Sequence, residues 1–103
     1  MFNTDAESIG GAAQDTQRKI AKHVRNLFNF RGSAALYRMS PPYAGHEFVI
    51  ASAVNDGVSI HETYLFPSTP DGEIADWGEL DGSERNTTSH ERVMSNIDYV
   101  IEY

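Results

Sequence analysis

The feature that most constrains the fold is a hairpin signal in the middle of the chain. Residues 46–54 and 58–66 are both rich in apolar and β-branched side chains, and Asn55-Asp56-Gly57 separates them. Asn, Asp and Gly readily adopt the positive φ angles that tight hairpin turns require. The sequence therefore predicts two antiparallel strands joined by this turn.

The length of the turn decides which side chains share a face of the hairpin. A two-residue turn places Phe48 and Ile50 beside His61, whereas a three-residue turn with a bulge places them beside Tyr64 and Phe66. A shift of one residue exchanges the two faces of a strand. We predict the second register because it forms one continuous apolar face.

Before the hairpin, the spacing of apolar residues is that of a helix. Four of them recur at intervals that place them on one helical stripe: Ile20, Val24, Leu27 and Phe28. With a cap at Asp15 or Thr16 and Gly32 after the last turn, the pattern predicts an amphipathic helix that ends near Phe30. Residues 1–14 are small and polar, so we interpret them as a flexible tail.

The remaining segments complete an α+β prediction. Further strands are expected at Ala35–Ser40, Glu73–Leu80 and Tyr99–Tyr103, and the pair Thr88 and Glu91 has the form of a capping box that begins a short helix. We therefore predict that residues 15–103 form a single α+β domain. Its N-terminal amphipathic helix packs on a small, mainly antiparallel sheet of four to five strands, and a short second helix precedes the last strand.

Composition excludes several classes of site and location. The chain has no Cys, which rules out disulfides, thiolate zinc sites and cysteine nucleophiles and fits a reducing cytoplasm. Its N-terminal residues lack the pattern of a secretory signal, so a cytoplasmic location is expected. The longest apolar run, Phe48–Val54, is far shorter than the roughly 20 residues of a membrane span. We expect no membrane association.

No set of residues specifies a reaction or a metal site. Three His-Glu dipeptides occur, at His46, His61 and His90, but neighbours on a strand point to opposite faces and do not converge on one ion. The serines include no nucleophile-elbow sequence, and no glycine-rich phosphate loop is present. We therefore predict a non-enzymatic protein with no catalytic residue, metal or cofactor.

Charge is divided unevenly along the chain. The net charge of −7 consists of +3 in residues 1–38 and −10 in residues 39–103. The basic charge forms a secondary candidate surface on the predicted helix: Arg18, Lys19, Lys22 and Arg25. Because phosphate contacts need Lys and Arg to displace counterions, the overall acidity argues against direct binding of nucleic acid.

The densest acidic segment contains the only Trp of the chain. The candidate binding residues of this segment are Asp71, Glu73, Asp76, Trp77, Glu79, Asp81 and Glu84. In the simpler interpretation the segment is a solvated hairpin with Trp77 in the core. In the functional one, the carboxylates attract a basic partner and Trp77 supplies the apolar anchor. Carboxylates at strand spacing would also imitate a phosphate backbone.

Several segments together resemble a known group of proteins. They are Phe48–Val54, Glu62–Pro67, Asp71-Gly72, Asp76–Ser83 and His90. They resemble small uncharacterised accessory proteins encoded by phages of actinobacteria, over residues 46–103. The resemblance implies a phage product that works in the cytoplasm of a bacterial host, and it brings no known activity or site residue with it.

The leading hypothesis is a small acidic protein-binding module that inhibits or modulates a host protein with a basic surface. The target could belong to a defence system, with the protein acting as an anti-CRISPR by nucleic-acid mimicry. One alternative is a self-associating structural protein in which the basic helix of one copy meets the acidic sheet of another. A second alternative is a small hydrolase with an unrecognised site.

Overall fold

The computed structural model describes residues 18–28, 32–55, 57 and 61–103, which form a mostly β structure. These residues contain six strands and one short helix. They are β1 (Ile20–Leu27), β2 (Ser33–Tyr43), β3 (His46–Asn55), β4 (His61–Pro67), β5 (Glu84–Arg85), α1 (His90–Asn96) and β6 (Val100–Glu102). Among the described residues, no helix has the length and apolar character needed to cross a membrane.

All six strands belong to one curled sheet with the order β5-β4-β3-β2-β1-β6. Strands β1 to β4 form an antiparallel meander, and β5 also pairs antiparallel with β4. The last strand, β6, returns to the other edge and lies parallel to β1. Parallel neighbours need a crossover connection, and α1 lies within the segment that makes it.

The pairing of the central hairpin confirms the predicted apolar face, but the predicted three-residue turn is wrong, because five residues lie between the paired Asn55 and His61. Ile50 lies opposite Phe66, and Ser52 lies opposite Tyr64, so Phe48 and Ile50 share a face with both aromatic residues. The predicted strand at Ala35–Ser40 is also confirmed, because it lies within β2. Asp56 and residues 58–60 of the predicted hairpin lie outside the described residues.

The main core lies between the sheet and α1. From the helix side, Val93, Met94 and Ile97 are buried together with Tyr99. The sheet contributes alternate residues of its central strands, all at most 2% exposed: Ala21, Ala35, Tyr37, Met39, Val49, Ala51 and Leu65. Side chains of one face alternate along a strand, so this face has a period of two.

The opposite face of the sheet has a smaller apolar cluster and no helix over it among the described residues. Leu27, Leu36 and Ile50 are buried there, with Phe48 and Ile74 packed against them. This cover comes from the irregular segment that follows β4, which folds back on itself in an isolated antiparallel bridge between Ser68 and Ile74. The described residues therefore cover the sheet deeply on one face and thinly on the other.

The predicted N-terminal helix is wrong, and with it the α+β class. Within the expected helix, Ile20–Leu27 form a strand with neighbours on both sides. The register shifts between His23 and Arg25, where one extra residue enters β1. Along a regular strand, residues of one face recur every two positions. The bulge adds one residue to β1, so apolar residues before and after it are spaced by an odd number of positions, and the pattern looks like that of a helix. The predicted tail and the first residues of the expected helix, 1–17, lie outside the described residues.

The other predictions for the second half of the chain are partly confirmed and partly wrong. A short helix before the last strand is confirmed, but its cap is Ser89, whose hydroxyl accepts from the Arg92 backbone N–H, and not Thr88. The final strand is confirmed at Val100–Glu102. A strand over Glu73–Leu80 is wrong: apart from the bridge at Ile74, the segment is irregular. The sheet has six strands in place of the expected four to five.

Two glycines with the same backbone conformation provide a test of the packing between β2 and β3. Gly32 and Gly45 have φ values of +72° and +85°, which disfavour any residue with a Cβ. A Cβ on Gly32 would clash with the Ala53 carbonyl oxygen, whereas a Cβ on Gly45 would meet nothing within 4 Å.

We expect Gly45→Ala to lower the free energy of unfolding by about 1 kcal/mol through strain alone. Gly32→Ala adds a clash with backbone, for an expected loss of about 3 kcal/mol or more. Urea denaturation of both variants measures the difference. Equal losses would show that the close approach at Ala53 does not limit the fold.

Candidate binding surface around Trp77

Trp77 lies on a loop that is fastened to the sheet on both sides. The Ala75 N–H donates to the Pro67 carbonyl oxygen at 2.9 Å, and the Leu80 N–H donates to the Leu65 carbonyl oxygen at 2.8 Å. Between these two bonds the indole is 73% exposed. The interpretation with Trp77 in the core is therefore wrong, because the segment runs along the edge of β4 and does not cross the sheet.

Trp77 ends a row of aromatic side chains on the thinly covered face. Its ring centroid lies 5.6 Å from that of Phe66, in an edge-on arrangement with an interplanar angle of 65°. Phe66 in turn lies 6.0 Å from Tyr64, two residues earlier on β4. At the far end, the Arg85 guanidinium lies 5.5 Å from the Tyr64 ring centroid. We call Trp77, Phe66 and Tyr64 the aromatic row.

Two of the predicted acidic residues are engaged by side chains of the same molecule. Glu79 accepts from Arg85 at 3.2 Å, and Glu84 accepts from Arg92 at 2.8 Å and also from Asn96. The hydrogen bond from Asn96, supported by Arg92, lowers the pKa of Glu84 below its usual value. Glu84 therefore ties β5 to α1 and is not available as a free charge.

The other predicted carboxylates are exposed and make no ion pair among the described residues: Asp71, Glu73, Asp76 and Asp81. Asp76 Oδ1 accepts from the Gly78 N–H at 2.8 Å, which closes a small turn around Trp77. This bond fixes one carboxylate next to the exposed indole. The acidic segment thus retains net negative charge beside its apolar anchor.

The predicted basic surface is not a helix face, and most of its residues have partners within the chain. Lys22 forms an ion pair with Glu102 at 3.4 Å, and Lys19 lies 5.9 Å from the centroid of the Tyr99 ring. Arg25 donates to the Asp71 carbonyl oxygen. Arg18 is exposed next to β1. The basic residues therefore serve contacts between β1 and the later, acidic part of the chain.

Sequence reasoning missed the residues that complete this surface. Tyr64, Phe66 and Arg85 belong to it because β4 and β5 pair with Glu62 opposite Arg85. Arg85 also lies 3.8 Å from the Glu62 carboxylate. The usable signal was the pair Tyr64 and Phe66, which the predicted register already placed on one face. Nothing local in the sequence indicates that Trp77 packs beside them.

A polar cavity of about 530 Å³ lies on the opposite face, next to the start of α1. Its innermost polar groups are Tyr37 and His90, whose hydroxyl and Nδ1 are 2.9 Å apart. His90 Nε2 lies 2.9 Å from the Ser33 carbonyl oxygen. A carbonyl can only accept, so Nε2 carries the proton and Nδ1 accepts from Tyr37.

This pair is a satisfied network and not an activated nucleophile. Burial raises the pKa of Tyr37 well above its usual range, so its phenol stays protonated. Nearby, Tyr103 donates to the Glu91 carboxylate at 2.6 Å, and this bond lowers the pKa of Glu91. The same His90-Glu91 pair was one of the three dipeptides noted in the sequence. Among the described residues, no group of three metal-ligating side chains converges.

Comparisons of the chain with protein-family models, with curated proteins and with solved structures found no match.

The bonds to Glu84 predict a pH dependence of stability. Because the pKa of Glu84 is lowered on folding, its stabilising contribution is present above its unfolded value of about 4.5 and is lost as the pH falls through the folded value. We expect Glu84→Gln to melt at a lower temperature than the wild type at pH 7. The gap should close as the pH falls below about 4.5 and through the lowered pKa of the folded state.

Thermal melts of both proteins between about pH 3 and pH 7 measure the gap. Glu73→Gln is the matched control, because Glu73 is bonded through its backbone to Thr69 and Ser68 in the described contacts. A gap of constant size for Glu84→Gln, or the same closing gap for Glu73→Gln, would contradict the assignment.

Proposed function

We propose that the protein is a non-enzymatic binding module that holds a basic surface of another protein against Trp77. The observation that carries the proposal is the 73% exposed indole, fixed at the edge of the sheet beside carboxylates that make no ion pair with any described residue. A Trp side chain buries about 150–250 Å² when covered. Most of that apolar area is therefore still in contact with water in the isolated chain.

Trp is among the residues that most often dominate binding energy when they are buried at the centre of an interface. At roughly 25 cal/mol per Å², covering about 150 Å² of indole contributes about 3–4 kcal/mol before the costs of association. The surrounding charge adds selectivity for a basic partner. A net charge of −7 also accelerates encounter with such a partner at low ionic strength.

The resemblance to phage accessory proteins supports a host protein as the partner and the bacterial cytoplasm as the place of binding. Inhibition of host machinery, including a defence system such as a CRISPR nuclease, is the proposed consequence. Imitation of a phosphate backbone is not part of the proposal, because the carboxylates do not lie on a regular strand. General charge complementarity with one aromatic anchor is sufficient.

Affinity capture from the lysate of an actinobacterial host tests the proposal. We expect Trp77→Ala to lose the captured partner, with an affinity loss of about 30-fold or more. The double variant Asp76→Asn, Asp81→Asn should weaken capture, because it removes two charges while the amide oxygen introduced at position 76 can still accept from the Gly78 N–H. Capture by the wild type should also fall as salt is raised.

Two control variants match these changes elsewhere on the molecule. Tyr103→Ala removes an aromatic side chain of almost equal exposure, 72%, from the cavity side of the sheet. Asp98→Asn removes an exposed charge at a positive φ that Asn also tolerates. Both should capture the partner as the wild type does. Recovery of the same proteins by Trp77→Ala and by the wild type would contradict the proposal.

A further inference from the structure

We infer that the group which the Trp77 surface recognises is an arginine side chain of the partner, stacked on the indole. This inference rests on the proposed function and specifies its chemistry. Its basis is the aromatic row, in which a cation of the same chain lies over Tyr64 at one end, whereas no described cation lies over Trp77 at the other.

The occupied end shows what arrangement this surface stabilises. The Arg85 guanidinium lies 5.5 Å from the Tyr64 centroid and within ion-pair distance of two carboxylates, Glu79 at 3.2 Å and Glu62 at 3.8 Å. Three components therefore meet at this end: a planar cation, an aromatic face and flanking acids. Arginine suits such a position because its guanidinium is flat, weakly hydrated and able to stack.

The open end repeats two of these components. Trp77 has the aromatic face that attracts cations most strongly, and Asp76 beside it is held by its bond to Gly78. In the part of the chain that the structure describes, the cations found over aromatic rings are Lys19 on Tyr99 and Arg85 on Tyr64. No described Lys or Arg covers Trp77. The missing component is a cation, and an interface would supply it.

Lysine is the competing occupant, and the geometry favours arginine. A lysine ammonium is a compact and strongly hydrated charge, which gains less from a flat apolar surface than a guanidinium does. Phe66 lies against Trp77 edge-on, so the indole has a defined position and presents a flat surface to solvent. A flat cation makes use of that surface, whereas a point charge needs only the carboxylates.

The test compares two labelled nonapeptides that are identical except for three Arg or three Lys residues. Fluorescence anisotropy with the wild-type chain should give an affinity about twofold higher for the Arg peptide, because a lysine keeps part of the cation–π attraction and only the difference separates the peptides. Trp77→Leu, which keeps apolar bulk without an aromatic face, should remove this preference. Trp77→Phe should restore part of it.

The outcomes separate this inference from the function on which it rests. Equal affinities for the two peptides, a preference that survives Trp77→Leu, or no binding of either peptide at millimolar concentration would each overturn the arginine assignment. If both peptides bind equally and Asp76→Asn, Asp81→Asn weakens both, charge complementarity stands and only the assignment fails. The proposed function fails on a different result, which is capture of the same host partner without Trp77.

Discussion

The structure depends on the pairing of β1 with two partners that are distant from each other in sequence. On one side β1 forms the antiparallel meander with β2, and on the other it lies parallel to β6 through Ile20 and Val100. The Val100 N–H also donates to the Lys19 carbonyl oxygen at 3.0 Å. This pairing places β6 at the edge of the sheet opposite β5. The chain between these two strands must therefore cross one face of the sheet, and α1 lies in that crossing segment.

The placement of α1 explains why the two faces differ. Val93, Met94 and Ile97 fill the face that carries Tyr37 and Leu65, and these buried residues form the main core. Among the described residues, the other face receives the irregular segment after β4, which supplies Ile74 to the small cluster around Ile50. The aromatic row lies on this thinly covered face. Its exposure is thus a consequence of topology, since the one described helix is committed to the opposite side.

The sequence predicted the parts of the fold that local signals determine. The requirement that Ile50 and Phe66 share an apolar face predicted which side chains of the hairpin point the same way, although not the length of its turn. The short helix was predicted from its apolar stripe, although its cap is Ser89. The error at β1 has a physical cause: the bulge between His23 and Arg25 alters the alternation, and pairing with β2 and β6 outweighs the weak helix preference of this segment. Neither partner strand is visible from the residues of β1 themselves.

The candidate surface was predictable in composition but not in geometry. Charge density and the single Trp marked the right segment, yet Glu84 proved to be an internal contact with Arg92, while Asp76 lies beside the exposed indole. These differences depend on which side chains the loop brings to β4 and α1. Loops of this kind have no periodic pattern, so the exposure of their residues is decided by the two backbone bonds at Ala75 and Leu80.

One structural explanation of Trp77 competes with binding, namely that the indole serves to cover Phe66. Phe66 is 9% exposed, so it does need a neighbour. A cover, however, needs only the part of the indole that touches Phe66, and a smaller apolar residue would provide it. An indole that is 73% exposed leaves most of its area without any folding contribution. Trp77→Leu should therefore cost at most about 1 kcal/mol of unfolding free energy. A large loss of stability in this variant would favour the cover, and a small loss combined with a lost arginine preference would favour the binding role.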